Sequence, residues 1–250
     1  MKCRSPGGAQ AGVRVYVGAM STTEAAYTGF ADADAKFFRA LAKNQSREWF
    51  QAHKTEFEEG WNTPMKRVLA EVRAKVDAAF PHAELDDPKV FRIFRDVRFS
   101  KDKAPYKTHV GGTISVKRTG KLTEVPIALY VHVGLPSSFA AAGHYMMDGP
   151  ALDRFRKAVA DEARGKELVK ILRGLEKKGF SVDAREGYKR VPKGYDPEHP
   201  RAELLKRKGL TVSLPDLPKG ILASPKLVPW LAGHCKTAAP LVEWLVFATV

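Results

Sequence analysis

The sequence predicts an α+β fold with N-terminal helices, a central antiparallel sheet and C-terminal helices, all in one domain. Apolar residues recur at helical spacing between residues 37 and 80. Between residues 108 and 147 they alternate with polar residues as in strands, and the stretch is too short for the crossover helices of a parallel sheet. Helical spacing returns after residue 149, and neither a repeat nor a shift in composition divides the chain.

Three helices are expected in the N-terminal third. The apolar face of the first helix consists of Phe37, Phe38 and Leu41. The second helix is expected to begin at Ser46, because a serine hydroxyl at the N-cap can accept a hydrogen bond from a free backbone N–H. Its face is formed by residues at helical spacing, Trp49, Phe50, His53 and Phe57. Thr63-Pro64 is expected to open the third helix, since proline is well tolerated in the first turn.

The middle third predicts a meander of antiparallel strands. Its segments are Lys89–Phe94, Thr108–Val116, Pro126–Val133 and Phe139–Met147. Alternation in the second segment predicts a half-buried strand with one apolar face. The polar stretch Lys117–Lys121 is expected to form the turn between the second and third strands.

The remainder of the chain returns mainly to helix. Residues 149–175 carry apolar residues at helical spacing, whereas residues 180–208 contain Pro192, Gly194, Pro197 and Pro200, which predict loops. Leu210–Ser213 is expected to form a short strand. Ser224-Pro225 is expected to begin the final helix, which continues through Leu245.

The charge balance favours anionic ligands. The 250 residues include 42 Lys and Arg against 28 Asp and Glu, so that the formal net charge is +14. Such an excess attracts anions without identifying them. With only two cysteines, Cys3 and Cys235, the chain lacks the residues for a disulfide framework or a zinc site built on cysteine.

We expect a cytoplasmic protein with no membrane partner. Val125–Met147 contains no Asp, Glu, Lys or Arg, but its prolines, glycines and strand-like alternation exclude a spanning helix. Met1–Ala19 is expected to be a disordered leader upstream of the natural start at Met20, and the single α+β domain is expected to comprise residues 20–250. Arg14 interrupts the apolar stretch that a secretory signal would need.

The most informative stretch runs from Lys89 to Lys107. It holds seven Lys and Arg residues against two acids, Asp96 and Asp102. Arginines alternate there with apolar residues, which predicts that the aromatic side chains are buried and that some guanidinium groups lie close to the core. A partly buried arginine requires a carboxylate, a backbone carbonyl or a bound anion.

This stretch predicts an anion-binding site in which arginines bind phosphate through paired hydrogen bonds and lysines add point charges. The residues of the predicted site are Arg92, Arg95, Arg98, Lys101, Lys103 and Lys107. The alternative is internal pairing, in which Asp96, Asp102 and distant acids neutralise the bases and the stretch only specifies the fold. Two acids cannot neutralise seven bases locally, which favours a site.

The same stretch carries a family resemblance. The run Phe91–Lys103, followed by Pro105–His109, resembles the signature of the domain-of-unknown-function family DUF2461, conserved hypothetical proteins of bacteria. Further similar motifs occur in the same order along the chain: Tyr27–Phe30, Asn44–Lys54, Val191–Tyr195 and His199–Leu205. The resemblance extends from Tyr27 to Leu245 and implies one domain. It implies no activity and no catalytic residue.

Two histidines form a second candidate site. If the hairpin turns near Gly120-Lys121, His109 and His132 lie directly opposite each other on neighbouring strands. Two opposed imidazoles could hold a metal with a third ligand, or one of them could act as a general base. The alternative is a stacked or hydrogen-bonded pair. The sequence places no carboxylate beside them, so no metal is assigned and no cofactor is identified.

Two functions of different classes follow from these residues. The first is a binding module that holds a phosphate-bearing small molecule or a nucleic acid on the Arg92–His109 surface. The second is an enzyme that acts on a phosphorylated or carboxylated substrate, with His109 or Asp96 moving a proton. The loop Tyr188–Arg201 adds further bases and two tyrosines, a pattern that suits single-stranded nucleic acid or a solvated loop. The sequence defines no oligomeric state.

Overall fold

The computed structural model describes residues 26–117, 125–183 and 187–250. The predicted leader Met1–Ala19, the predicted start at Met20 and most of the predicted turn Lys117–Lys121 lie outside these residues. The described residues form the predicted α+β fold, with helices before and after a six-stranded antiparallel sheet.

The second of the N-terminal helices begins where the sequence places its cap. The helices are α1 (Lys36–Lys43), α2 (Arg47–Ala52), α3 (Lys54–Phe57) and α4 (Thr63–Val76). The Asp32 carboxylate accepts hydrogen bonds from the first backbone N–H groups of α1, those of Lys36 and Phe37. The Ser46 hydroxyl accepts one from the Trp49 N–H at 3.1 Å, so that the predicted N-cap of α2 is confirmed.

The boundary before α4 differs from the prediction. Thr63-Pro64 does not open a separate helix, because a π-helical turn, Glu58–Asn62, joins α3 directly to α4. The Thr63 N–H bonds to the Glu58 carbonyl five residues earlier. Pro64 has no N–H for an α-helical bond, and the wider turn before it allows the helix to continue.

Six strands form one sheet in the order β1-β2-β3-β4-β6-β5. The strands are β1 (Lys89–Val90), β2 (His109–Ser115), β3 (Ile127–Gly134), β4 (Phe139–His144), β5 (Ser181–Val182) and β6 (Leu210–Ser213). The predicted meander is confirmed in β2, β3 and β4, and β6 has the predicted bounds. Lys89–Phe94 departs from the prediction, because pairing with β2 ends at Val90.

The later helices are α5 (Gly149–Ala160), α6 (Glu162–Glu176), α7 (Ala202–Leu205) and α8 (Leu227–Thr249). Among them, α8 packs on the centre of the sheet and α5 packs against α8. The predicted helical segment from 149 to 175 is divided at Asp161, whose carboxylate caps α6 by accepting from the Arg164 N–H. Helix α8 packs against α4, α5, α6, β3 and β4, and therefore carries apolar residues around its circumference. None of the described helices is both long and apolar enough to span a membrane.

Removing the cap of α2 tests this local structure. We expect Ser46→Ala to lower the free energy of unfolding by about 1 kcal/mol, because the Trp49 N–H loses its acceptor. Ser46→Asp is the matched control, since aspartate also accepts this hydrogen bond and is expected to retain stability. Urea denaturation measures both variants, and equal losses in the two would contradict the capping role.

A candidate anion-binding surface

Residues 89–107 form an irregular hairpin, here called the basic arm, that leaves the sheet after β1. Its two sides are joined by backbone hydrogen bonds of 2.8 Å from Arg95 N to Pro105 O and from Lys107 N to Ile93 O. Two apolar side chains anchor the arm: Ile93 is buried, and Tyr106 stacks on Phe50 of α2 with ring centroids 4.5 Å apart. The arm is thereby held on the core at its base.

The phenylalanines of the basic arm face solvent, contrary to the expectation that its aromatic residues are buried. Phe91 is 37% exposed, Phe94 48% and Phe99 95%. The hairpin projects from the edge of the sheet, and Ile93 and Tyr106 occupy the contact with the core. The Phe94 ring also packs against Phe50 and Tyr106, with ring centroids 6.1 and 5.4 Å away. The exposed parts of the three rings are available to stack on a ligand.

Two of the three arginines of the predicted clamp are held by acids of the arm itself. Arg95 Nη1 lies 2.5 Å from Asp102 Oδ2, and Arg98 donates two hydrogen bonds to Asp96, of 3.0 and 2.7 Å. The hydrogen bonds from Arg98 lower the pKa of Asp96, which is therefore ionised at neutral pH. Arg95 and Arg98 are thus paired with separate carboxylates rather than gathered with Arg92 around one pocket.

The remaining cations of the arm make no ion pair with a described acid, although the charge of Arg92 contributes to lowering the pKa of Asp96. Arg92, Lys101 and Lys103 make no ion pair there, and the Lys103 ammonium donates to the Val97 carbonyl at 3.0 Å. Lys107 Nζ donates to the Arg92 carbonyl at 2.9 Å. Burial and the charge of Arg92 lower the pKa of Lys107. In the described chain no distant acid neutralises the arm, which leaves it strongly positive.

The two candidate histidines contact each other in a register other than the predicted one. His109 lies opposite Gly134, and His132 lies opposite Gly111. An extra residue in β3, at the irregularity beside Ile114, accounts for part of this offset of two residues. Because an even offset keeps side chains on the same face, the two imidazole rings still stack, with centroids 3.9 Å apart.

The histidine stack continues across the sheet onto Phe139, whose ring centroid lies 4.8 Å from that of His132. Burial, with smaller contributions from His132 and Lys107, lowers the pKa of His109 to about 4. Burial also lowers the pKa of His132, so that both rings are neutral at pH 7. Within the described ranges no three His, Cys, Asp or Glu side chains come together as a metal site.

The basic arm, its anchoring residues and the loop before α7 all lie within one family match. A family model described as conserved hypothetical protein (DUF2461) matches residues 34–244. The chain belongs to this family. Comparison with curated proteins and with solved structures gave no match. The match confirms the expected family over residues 34–244, whereas the expected motif Tyr27–Phe30 lies before the matched residues. For this DUF2461 member the geometry alone bears on function.

Another family motif has a structural role that the sequence did not reveal. Arg201, counted among the bases of the loop Tyr188–Arg201, is buried and donates to the carbonyl groups at the end of α5. In the same loop the Tyr188 ring faces two cations, Arg156 and Lys208, at about 5 Å. The capping of α5 by Arg201 could not be recognised from the sequence, because the end of α5 and Arg201 are about forty residues apart in the chain.

Proposed function

We propose that this DUF2461 member is a cytoplasmic protein that binds a phosphate-bearing ligand on the basic arm. The observation that carries the proposal is the arm's unbalanced charge. Seven bases and two acids leave five positive charges in excess on an exposed hairpin. A polyanion that contacts such a surface releases its counterions, which favours binding.

The environments of the acid and base candidates favour binding over catalysis. Asp96 is exposed and held ionised by Arg98, so it lacks a proton to donate near neutral pH. The lowered pKa of His109, about 4, makes its imidazole a weak base, and its ring is stacked on His132. The basic arm supplies charge and surface without a titrating group poised near pH 7.

A salt titration with inorganic polyphosphate tests this proposal. For single-stranded nucleic acids, the logarithm of the affinity falls by about 0.7 per neutralised phosphate for each tenfold rise in salt concentration. We apply this slope to about five phosphate contacts. Affinity is then expected to fall about a hundredfold between roughly 50 and 200 mM salt. The variant Arg92→Ala/Lys101→Ala/Lys103→Ala is expected to bind more weakly and to lose only about tenfold over the same range.

The matched control removes three exposed lysines near the end of α6, in Lys170→Ala/Lys177→Ala/Lys178→Ala. This variant has the same net charge as the arm variant and retains all the arm's cations. It is expected to keep the wild-type salt slope. Binding that is independent of salt, or an equal loss of slope in the two triple variants, would reject the arm as the binding surface.

A further inference from the structure

The sheet face opposite α4 and α8 carries a groove beside the basic arm. Strand alternation directs Ile114 and Val131 toward the helices, and directs Thr113, Tyr130 and Ala141 to the other face. A groove of about 570 Å³ lies on that face. Such a volume is in the range of pockets that take small organic ligands.

Aromatic side chains form the walls of this groove. They are Phe91, Tyr130, Phe139 and Tyr145. The Tyr130 ring centroid lies 6.3 Å from that of Phe91 and 5.7 Å from that of Phe139, and Tyr145 is 55% exposed. Phe91, Tyr130 and Phe139 therefore form one continuous aromatic surface that a planar ring can contact.

The floor of the groove is made by small residues of β4, Ala141 and Gly143. Gly143 has a φ of +126°, and a Cβ at this position would lie 2.3 Å from the Leu210 carbonyl oxygen of β6. The pairing of β4 with β6 therefore requires glycine here. Ala141 and Gly143 therefore place no side chain larger than a methyl group on this floor.

The groove is continuous with the positive charge of the arm. Phe91 belongs to both, since it lines the groove and lies within the basic arm. Lys107 Nζ is 5.7 Å from the centroid of the Phe91 ring. A planar group held against Phe91 would thus have a cation beside it. A nucleobase fits this arrangement, because the base can stack on the ring while the cation faces its phosphate.

Resting on the proposed function, we propose that the groove receives a nucleobase of a single-stranded nucleic acid whose phosphates lie along the basic arm. Exposed Phe94 and Phe99 continue the pattern of aromatic rings among cations beyond the groove. Several exposed aromatic rings on the groove and the arm match several successive bases better than one mononucleotide. Bases paired within a duplex could not enter the groove, because their faces are already stacked.

Fluorescence anisotropy with matched probes tests this inference. The probes are a labelled oligothymidylate of twelve nucleotides, an abasic deoxyribose-phosphate oligomer of equal length, and thymidine monophosphate as competitor. Wild-type protein is expected to bind the base-bearing oligomer at least tenfold more tightly than the abasic one. Thymidine monophosphate is expected to compete only weakly, because it lacks the additional phosphates and bases.

The test variant is Phe91→Ala/Tyr145→Ala, whose two side chains are substantially exposed, and the control is Phe247→Ala, an exposed phenylalanine of α8. The test variant is expected to lose at least tenfold in affinity for oligothymidylate and to bind the abasic oligomer as wild type does. The control is expected to bind both probes as wild type does. Circular dichroism verifies that each variant is folded.

The outcomes separate this inference from the proposed function. Equal affinity of wild type for the base-bearing and abasic oligomers would overturn the nucleobase groove and leave the phosphate-binding arm intact. If thymidine monophosphate displaces the labelled probe as effectively as the unlabelled oligomer does, the ligand is not a single-stranded nucleic acid and the inference is overturned. If neither oligomer nor polyphosphate binds at low salt, the proposed function fails, and the groove inference fails with it. The comparison of probes on wild-type protein needs no variant to fold.

Discussion

Replacing Arg201 with methionine is expected to lower the free energy of unfolding by about 3 kcal/mol. The Arg201 side chain is only 6% exposed. Its Nε donates to the Val159 carbonyl at 2.7 Å, and Nη2 lies 3.2 Å from the Ala160 carbonyl. These carbonyls end α5 and have no partner within the helix. Methionine fills a similar volume but leaves them without a donor, and it removes a cation from the negative end of the helix dipole.

The site is built to hold a guanidinium group. A Cβ on Gly165 would lie 2.4 Å from Arg201 Nε, so glycine in α6 leaves the space that Arg201 fills. Nη2 also lies 3.1 Å from the Glu162 carboxylate, which is largely exposed and pairs with Lys166 as well. The main loss in the variant is therefore expected at the carbonyls rather than at the ion pair.

Urea denaturation of three variants measures this contribution. Arg201→Lys keeps one charge but cannot reach all the carbonyls, and is expected to lose less than Arg201→Met. Arg190→Met removes an exposed arginine of the same loop and is expected to stay within about 0.5 kcal/mol of wild type. If Arg201→Met and Arg190→Met unfold at the same urea concentration, Arg201 does not cap α5.

The sequence was sufficient for local features whose cause lies within a few residues. Ser46 and Trp49 are three residues apart, so the cap of α2 could be predicted from the hydroxyl and the helical pattern that follows it. Alternation in Leu210–Ser213 likewise marked β6. The α+β order followed from the same kind of periodicity. Within the described residues these predictions agree with the structure.

Predictions that depended on tertiary geometry were less accurate. The register of His109 and His132 was offset by two residues, and the bulge in β3 that accounts for part of this offset is not visible in an alternating pattern. Strand β2 was expected to be half-buried, yet Thr113 is buried as well. Phe91 follows β1 and donates its N–H to the Gly111 carbonyl at the edge of β2. Its ring packs against Tyr130, which lies opposite Thr113, and so covers part of the second face.

The charge of the candidate site could be predicted, but its shape could not. Seven bases against two acids are a property of composition, and the described residues supply no further acid to the arm. Whether the phenylalanines of such a stretch are buried depends on which of its residues contact the core in the folded protein. Ile93 and Tyr106 occupy the contact with the core, so Phe94 and Phe99 remain outside. The groove needs β4 and β6 side by side, and more than sixty residues separate them in the chain.

Lowering the pH from 7 to 5 is expected to destabilise the protein by about 2 kcal/mol through His144 alone. This side chain is 1% exposed, its Nδ1 lies 3.2 Å from the Thr249 hydroxyl, and burial lowers its pKa to about 4. In the unfolded chain a histidine has a pKa of about 6.5. Between these two values the unfolded state binds a proton that the folded state does not, so the free energy of unfolding falls as the pH falls. His109 contributes in the same direction.

Denaturant titrations at pH 7 and pH 5 measure this effect. Between these two pH values the loss of stability comes from histidines rather than from the paired carboxylates. The pKa values of Asp96, Asp102 and Glu162 are lowered, so these carboxylates remove stability only below about pH 4.5. His144→Asn keeps a polar group near Thr249 without a titrating ring. Between pH 7 and pH 5 its free energy of unfolding is expected to fall by about 2 kcal/mol less than that of the wild type. A wild-type protein equally stable at both pH values, or a variant with an unchanged pH dependence, would contradict the neutral buried state of His144.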